Sequence, residues 1–247
     1  MEQEVVDSIN NEHENKKFLS GFKLSENLTA STDIKKVASN KEFLILASPS
    51  LYLAKTAQQL VDVPSIADGS TCIGVLAKGF IPSNDGPKLI LDTLEEVLPP
   101  SYKKSLVYIA GPSHAEEVAM GKLTGLIAAS ENPKNSIRFR EVMKGPGLMV
   151  YSSLDVIGVQ ICAAAKNVIA VVYGCLDAVA EDSELFGDNT ESFLLAAGLN
   201  EIQTLGFAMG ATHPETFTSI SGVGDLDVTC RSKYGRNRRF GRDIIKE

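Results

Sequence analysis

Asp155-Val-Ile-Gly-Val-Gln-Ile-Cys-Ala-Ala-Ala-Lys166-Asn167-Val-Ile-Ala-Val-Val-Tyr-Gly-Cys-Leu-Asp177-Ala-Val-Ala180 is the stretch around which the rest of the chain is organised. Read as a helix, it places Cys162, Ala163, Ile169 and Ala170 three and four positions from Lys166. Val159 and Tyr173 follow one turn further out, so the whole face around the lysine is apolar. An ammonium on such a face must reach a partner or a cavity, or its pKa must fall. Lysines tuned in this way act as general acids and bases. Two other readings compete. Lys166-Asn167 divides the stretch into apolar runs that are each too short to cross a bilayer, which argues against a membrane span. A core helix whose lysine snorkels to the surface stays open on this segment alone.

Upstream of this helix, short apolar runs alternate with helical spacing. Strands are expected at 43–47, 71–77, 106–110, 124–129 and 148–151, with helices near 51–61, 88–97, 114–121 and 132–144. Residues 2–12 read as a short acidic helix and 13–21 as a polar loop. Buried strands alternating with helices predict an α/β fold with a parallel sheet covered on both faces. Such sheets bind ligands beyond the carboxyl ends of their strands. Three consecutive strand ends carry Ser48-Pro49-Ser50, Lys78-Gly79 and Gly111-Pro112-Ser113. Backbone N–H groups, hydroxyls and one lysine suit a phosphate-bearing ligand, although any one corner alone is an ordinary turn.

Downstream the character is helical. A polar loop over 181–189 separates the first helix from a second at about 191–209, and a glycine-rich connection, Ser221-Gly-Val-Gly-Asp225-Leu226, follows. The chain ends in a basic stretch, Arg231, Lys233, Arg236, Arg238, Arg239 and Arg242, whose simplest reading is a solvated helix face. Gly235-Arg236-Asn237-Arg238 could instead present N–H groups, a guanidinium and an amide to one phosphate. Asp225 either orients Lys166, binds a hydroxyl or caps a helix. A boundary near residue 153 divides the chain into a sheet domain (1–153) and an all-α domain (154–247).

Composition bounds the rest. With 44% hydrophobic and 22% charged residues, the chain is that of a soluble globular protein. A net charge of -7 argues against nucleic acid as a partner. Cys72, Cys162, Cys175 and Cys230 form no CxxC pair and are poorly placed to join His13, His114 and His213 in a zinc site. Reduced thiols, a cytoplasmic setting and no metal are therefore expected. The acidic N-terminus is no signal peptide. No G-x-G-x-x-G joins a strand to a helix, so either the sheet lacks its opening strand or it is not a dinucleotide fold.

Taken together, the segments resemble the bacterial-type NAD(P)-dependent glycerol-3-phosphate dehydrogenases. The resemblance is carried by Ile9-Asn-Asn-Glu-His13-Glu-Asn15, Ser48-Pro49-Ser50, Ala77-Lys78-Gly79, Gly111-Pro-Ser-His-Ala115-Glu116-Glu117 and Tyr151-Ser-Ser-Leu-Asp155-Val-Ile-Gly-Val-Gln160. Its densest motifs are Ala165-Lys166-Asn167-Val-Ile-Ala170, Gly222-Val-Gly-Asp225-Leu226 with Thr229-Cys230, and Arg236-Asn237-Arg238-Arg239-Phe240-Gly241. It implies a Rossmann-like sheet missing its first βα unit, followed by a truncated helical domain. It also implies reversible reduction of dihydroxyacetone phosphate to sn-glycerol 3-phosphate for glycerophospholipid synthesis, with NAD or NADP (NADPH) as cofactor and a homodimer when intact. Lys166 matches the family's acid/base lysine. Lys78, Gly111, Ser113, Lys166, Asp225, Gly235, Arg236 and Asn237 match substrate-binding positions. Phe18, Lys78, Ala115 and Arg236 match cofactor-binding ones.

Departures from the family pattern are few. Gly235 stands where many members have serine, and its backbone N–H could still serve. Glu191 and Ala197 replace residues that are usually basic, and 181–185 looks like an insertion. Met1 corresponds to a point just beyond the second strand, so the chain is expected to be a fragment without the glycine loop and the last helices. Two alternatives remain: a related hydroxyacid or sugar-acid dehydrogenase, or a non-catalytic remnant that binds triose phosphate or a subunit.

Overall fold

The computed structural model describes residues 2–84, 86–232 and 235–246, so Lys233 of the basic stretch lies outside the described residues. Helix α1 (Gln3–Glu12) leads into a small antiparallel pair, β1 (Glu14–Asn15) and β2 (Leu19–Lys23). There the expected polar loop over 13–21 is wrong. Glu14 explains the difference, because its carboxylate accepts from the N–H of Gly21 at 2.8 Å and ties the turn into a hairpin.

Alternation then sets in: α2 (Ile34–Ala38), β3 (Phe43–Leu46), α3 (Ser50–Gln58), α4 (Pro64–Ala67), β4 (Cys72–Val75), α5 (Ile90–Val97) and β5 (Val107–Ala110). After these come α6 (Ala115–Ala119), β6 (Thr124–Ala129), α7 (Pro133–Met143) and β7 (Leu148–Ser153). The five strands form one sheet in the order β3-β4-β5-β6-β7. Every residue of β4 and β5 is buried, as expected of strands covered on both faces. On one face Phe139 of α7 meets Phe43 edge-on, with ring centroids 5.3 Å apart, and occupies the space that a side chain at Gly74 would fill.

The expectation of a wholly parallel sheet needs correction. β3, β4 and β5 run parallel, as do β6 and β7, but β6 pairs antiparallel with β5, setting Tyr108 opposite Ala129 and Ala110 opposite Ile127. A parallel return would need a crossover helix as long as the strands. α6 has only five residues, about 7.5 Å at helical rise, so the chain turns back on the same edge. The carboxyl ends of β3, β4 and β5 still share one edge, where the three corners read from the sequence lie.

The remainder is helical: α8 (Val156–Ala180), α9 (Asp188–Ala208), α10 (Glu215–Thr218), a π-helical turn at Ile220–Gly224, α11 (Asp225–Arg231) and α12 (Arg236–Lys246). Asp155 caps α8 through the N–H of Gly158 and also holds Thr216 Oγ1 at 2.7 Å, so one buried carboxylate joins α8 to α10. Helix α8 is long and apolar enough to cross a membrane, yet 67% of its most apolar window is buried inside the protein. α12 crosses α8 at backbone contact. A Cβ on Gly174 would stand 1.8 Å from the carbonyl oxygen of Arg238, and one on Gly241 would stand 1.9 Å from that of Val171.

Candidate active site

Where the sheet edge faces α8, α11 and α12, a cleft of about 750 Å³ opens, lined by Lys78, Ser113, Lys166, Asp225, Thr229, Arg236 and Asn237 among others. Its floor is a chain of charges. Lys166 projects from the middle of α8 and is only 5% exposed, so the snorkelling reading fails. Its Nζ donates to Asp225 Oδ1 at 2.5 Å and to Thr229 Oγ1 at 2.8 Å. Thr229 gives its own proton to the Asp225 backbone carbonyl at 2.6 Å, so its oxygen is left to accept from the lysine. Asp225 Oδ2 accepts from Lys78 Nζ at 3.0 Å, and Lys78 also lies 3.4 Å from the carbonyl of Gly111.

Two ammonium groups thus share one buried carboxylate. Burial pushes the pKa of Lys166 down from 10.5 to about 8, against the pull of Asp225 upward and with Lys78 adding to the fall. A lysine in that range exchanges protons near neutral pH. Two of its N–H groups are used on Asp225 and Thr229, and among the described residues the third has no acceptor and is available to a ligand in the cleft.

The other expected residues fall at different depths. Ser113 lines the cleft beside the β5 corner. Gly111 lies beneath it with φ of +145°, and a Cβ there would sit 2.6 Å from the carbonyl oxygen of Gly125. Arg236 and Asn237 open α12 on the facing wall, where Asn237 Nδ2 donates to Asn167 Oδ1 at 2.8 Å. Gly235 lines the cleft too, but its N–H is already bonded to the Ser232 carbonyl at 2.9 Å, which removes the role that the sequence left open for it. Ala115 begins α6 between His114 and Glu116, both of which line the cleft. Phe18 stands apart, 67% exposed on the β1–β2 turn, and does not line the cleft, although β2 touches α6.

Sequence reasoning assigned no role to Thr229 or Asn167. Thr229 stands four residues after Asp225 on one helix face, a spacing that could have pointed to it. Asn167 gives no comparable signal, because its partner lies 70 residues away. The basic stretch also differs from a plain solvated face: Arg238 is buried and bonded to Asp177.

Comparison with known proteins bears on this arrangement. Two family profiles match the chain: NAD-dependent glycerol-3-phosphate dehydrogenase N-terminus over residues 1–136 and the C-terminus of the same family over 155–247. The glycerol-3-phosphate dehydrogenase [NAD(P)+] of Treponema denticola is 63% identical over 98% of this chain and 69% of its own length. That of Treponema pallidum is 56% identical over 98% of this chain and 71% of its own. Among solved structures, glycerol-3-phosphate dehydrogenase from Coxiella burnetii superposes with a TM-score of 0.86 at 28% identity, covering 99% of this chain and 71% of that one. The Rossmann-like sheet, the helical segment behind it and these matches agree, and the chain belongs to the family of NAD(P)-dependent glycerol-3-phosphate dehydrogenases.

Proposed function

We propose that Lys166 is the acid–base group of this NAD(P)-dependent glycerol-3-phosphate dehydrogenase, acting between the carbonyl of dihydroxyacetone phosphate and the C2 alcohol of sn-glycerol 3-phosphate. The observation that carries this reading is the buried Lys166–Asp225–Lys78 chain on the floor of the cleft. In the reductive direction Lys166 gives its free proton to the C2 oxygen as negative charge develops there, and in the oxidative direction its neutral amine takes that proton back. Lys78, the second cation on the floor, stabilises the developing alkoxide. Asp225 holds both ammonium groups in place. Arg236 and Asn237 take the phosphate on the opposite wall, the guanidinium supplying charge and paired N–H donors.

The residues present fit a nicotinamide dinucleotide along the sheet edge. Gly79 has φ of +119°, and the atom nearest a Cβ there would be Ser50 Oγ at 3.6 Å, so the backbone at this corner is open to a ligand. Lys78, Ala115 and Arg236 are the contacts that we assign to the cofactor on this side, with Phe18 on the neighbouring hairpin. When bound, the cofactor supplies or accepts the hydride. We further assign residues 1–153 to the cofactor domain and 154–247 to the substrate domain, with α8 as the core helix of the latter. Four free cysteines support a reducing, cytoplasmic setting.

Arg236→Ala tests the phosphate grip. Losing one charge-assisted contact raises the Kd of sn-glycerol 3-phosphate, measured calorimetrically, by about 10- to 100-fold. An unchanged Kd would remove the phosphate from this wall.

A further inference from the structure

Arg238 follows the two residues assigned to the phosphate and also lines the cleft, but its guanidinium is buried and bonded inside the helical segment. Its guanidinium is held on every side. Nε and Nη2 each donate to the Asp177 carboxylate at 2.5 Å, a bidentate pair, and Nη1 donates to the Cys230 carbonyl at 2.5 Å. Nη2 also lies 3.4 Å from Glu191 Oε1, and the group sits 5.7 Å from the centre of the Tyr173 ring. Tyr173 in turn donates its hydroxyl to the backbone carbonyl of Glu191. One side chain of α12 therefore ties together α8, α9 and α11.

We infer that Asp177, Glu191 and Arg238 are positioning residues that fix the first turn of α12, and so set Arg236 and Asn237 on the substrate phosphate. The inference rests on the phosphate reading given above. Its physical basis is adjacency: Asn237 and Arg238 are neighbours in the first turn of α12, which lies along α8 with the Arg238 carbonyl against Gly174 and Gly241 against the Val171 carbonyl, and the Arg238 side chain adds the directional tie beside Asn237. A bidentate ion pair fixes direction as well as distance. Without it, the helix start shifts by a fraction of an ångström to an ångström, enough to cost an aligned phosphate contact.

Asp177→Asn tests this from outside the cleft, since Asp177 does not line it. By charge alone, removing a carboxylate near the site should tighten binding of a phosphate dianion. The clamp predicts the opposite: the Kd of sn-glycerol 3-phosphate rises by about 10-fold. Glu191→Gln, at a longer and more exposed contact, produces a smaller rise in the same direction, and Asp177→Glu, which keeps a carboxylate, recovers most of the affinity. Circular dichroism and thermal melting run alongside establish that each variant is folded, and Arg236→Ala serves as reference. If Asp177→Asn is folded and binds as well as or better than the parent while Arg236→Ala binds weakly, the clamp is wrong and the phosphate reading stands. If Arg236→Ala also binds normally, the phosphate reading itself fails. A loss in Asp177→Glu equal to that in Asp177→Asn would likewise overturn the clamp, because it would show that the carboxylate is not what matters.

Discussion

Lys166→Ala lowers kcat for dihydroxyacetone phosphate reduction by about 10²-fold or more, the loss expected when a general acid is removed. The change should fall on kcat rather than on substrate affinity, because the phosphate is assigned to Arg236 and Asn237 on the opposite wall. Lys166→Arg does not rescue. Its guanidinium keeps the charge but stays protonated throughout the working range, so it can neither give nor take the proton. Near-normal kcat in either variant removes Lys166 from the chemistry. The structure makes the prediction specific to this lysine: Lys78 shares the same carboxylate but is more exposed, whereas Lys166 is buried and burial lowers its pKa.

Asp225→Ala has the largest expected effect on stability. It leaves the buried Lys166 ammonium without its partner, and breaking a buried pair in this way costs about 3–5 kcal/mol. Lys78, a quarter exposed, recovers part of its own loss by hydration. The sign of the pH dependence follows from the lysine. Its folded-state pKa is already depressed to about 8, and losing the favourable pull of Asp225 depresses it further. The unfolded chain then binds more protons than the folded one across the window from that lowered value up to 10.5, so stability of the variant rises with pH through the window. Urea unfolding at pH 7 and pH 10 reads this directly. The double variant Lys166→Met with Asp225→Ala should regain most of the lost stability, because the uncompensated charge is gone. A double variant as unstable as the single one would place the cost elsewhere, in the packing of α11.

Much of this site was legible in the sequence because burial and turn chemistry are local signals. The apolar positions around Lys166 raised a desolvated ammonium beside a snorkelling one, and Asp225 was a candidate partner beside its reading as a hydroxyl ligand or helix cap. The corners at 48–50, 78–79 and 111–113 share an edge because β3, β4 and β5 run parallel. Strand direction is a different matter. Periodicity reports which faces are buried, not which way the chain runs, so the reversal at β6 was hidden in the length of α6. Arg238 was hidden for a related reason. Among six basic residues it looks like part of a solvated face, and its acidic partners lie 61 and 47 residues away in the sequence. The Gly235 N–H was misjudged because a local turn to Ser232 had already used it.

The acid–base claim is tested most directly by the pH dependence of kcat/KM in both directions, in the parent enzyme and in Lys166→Ala. With a Lys166 pKa of about 8, the reduction, which needs the protonated lysine, falls as pH rises through that value. Oxidation of sn-glycerol 3-phosphate, which needs the neutral amine, rises through the same region, and both limbs vanish in Lys166→Ala. If the limbs persist in the variant at the same pH, the proton belongs to another group.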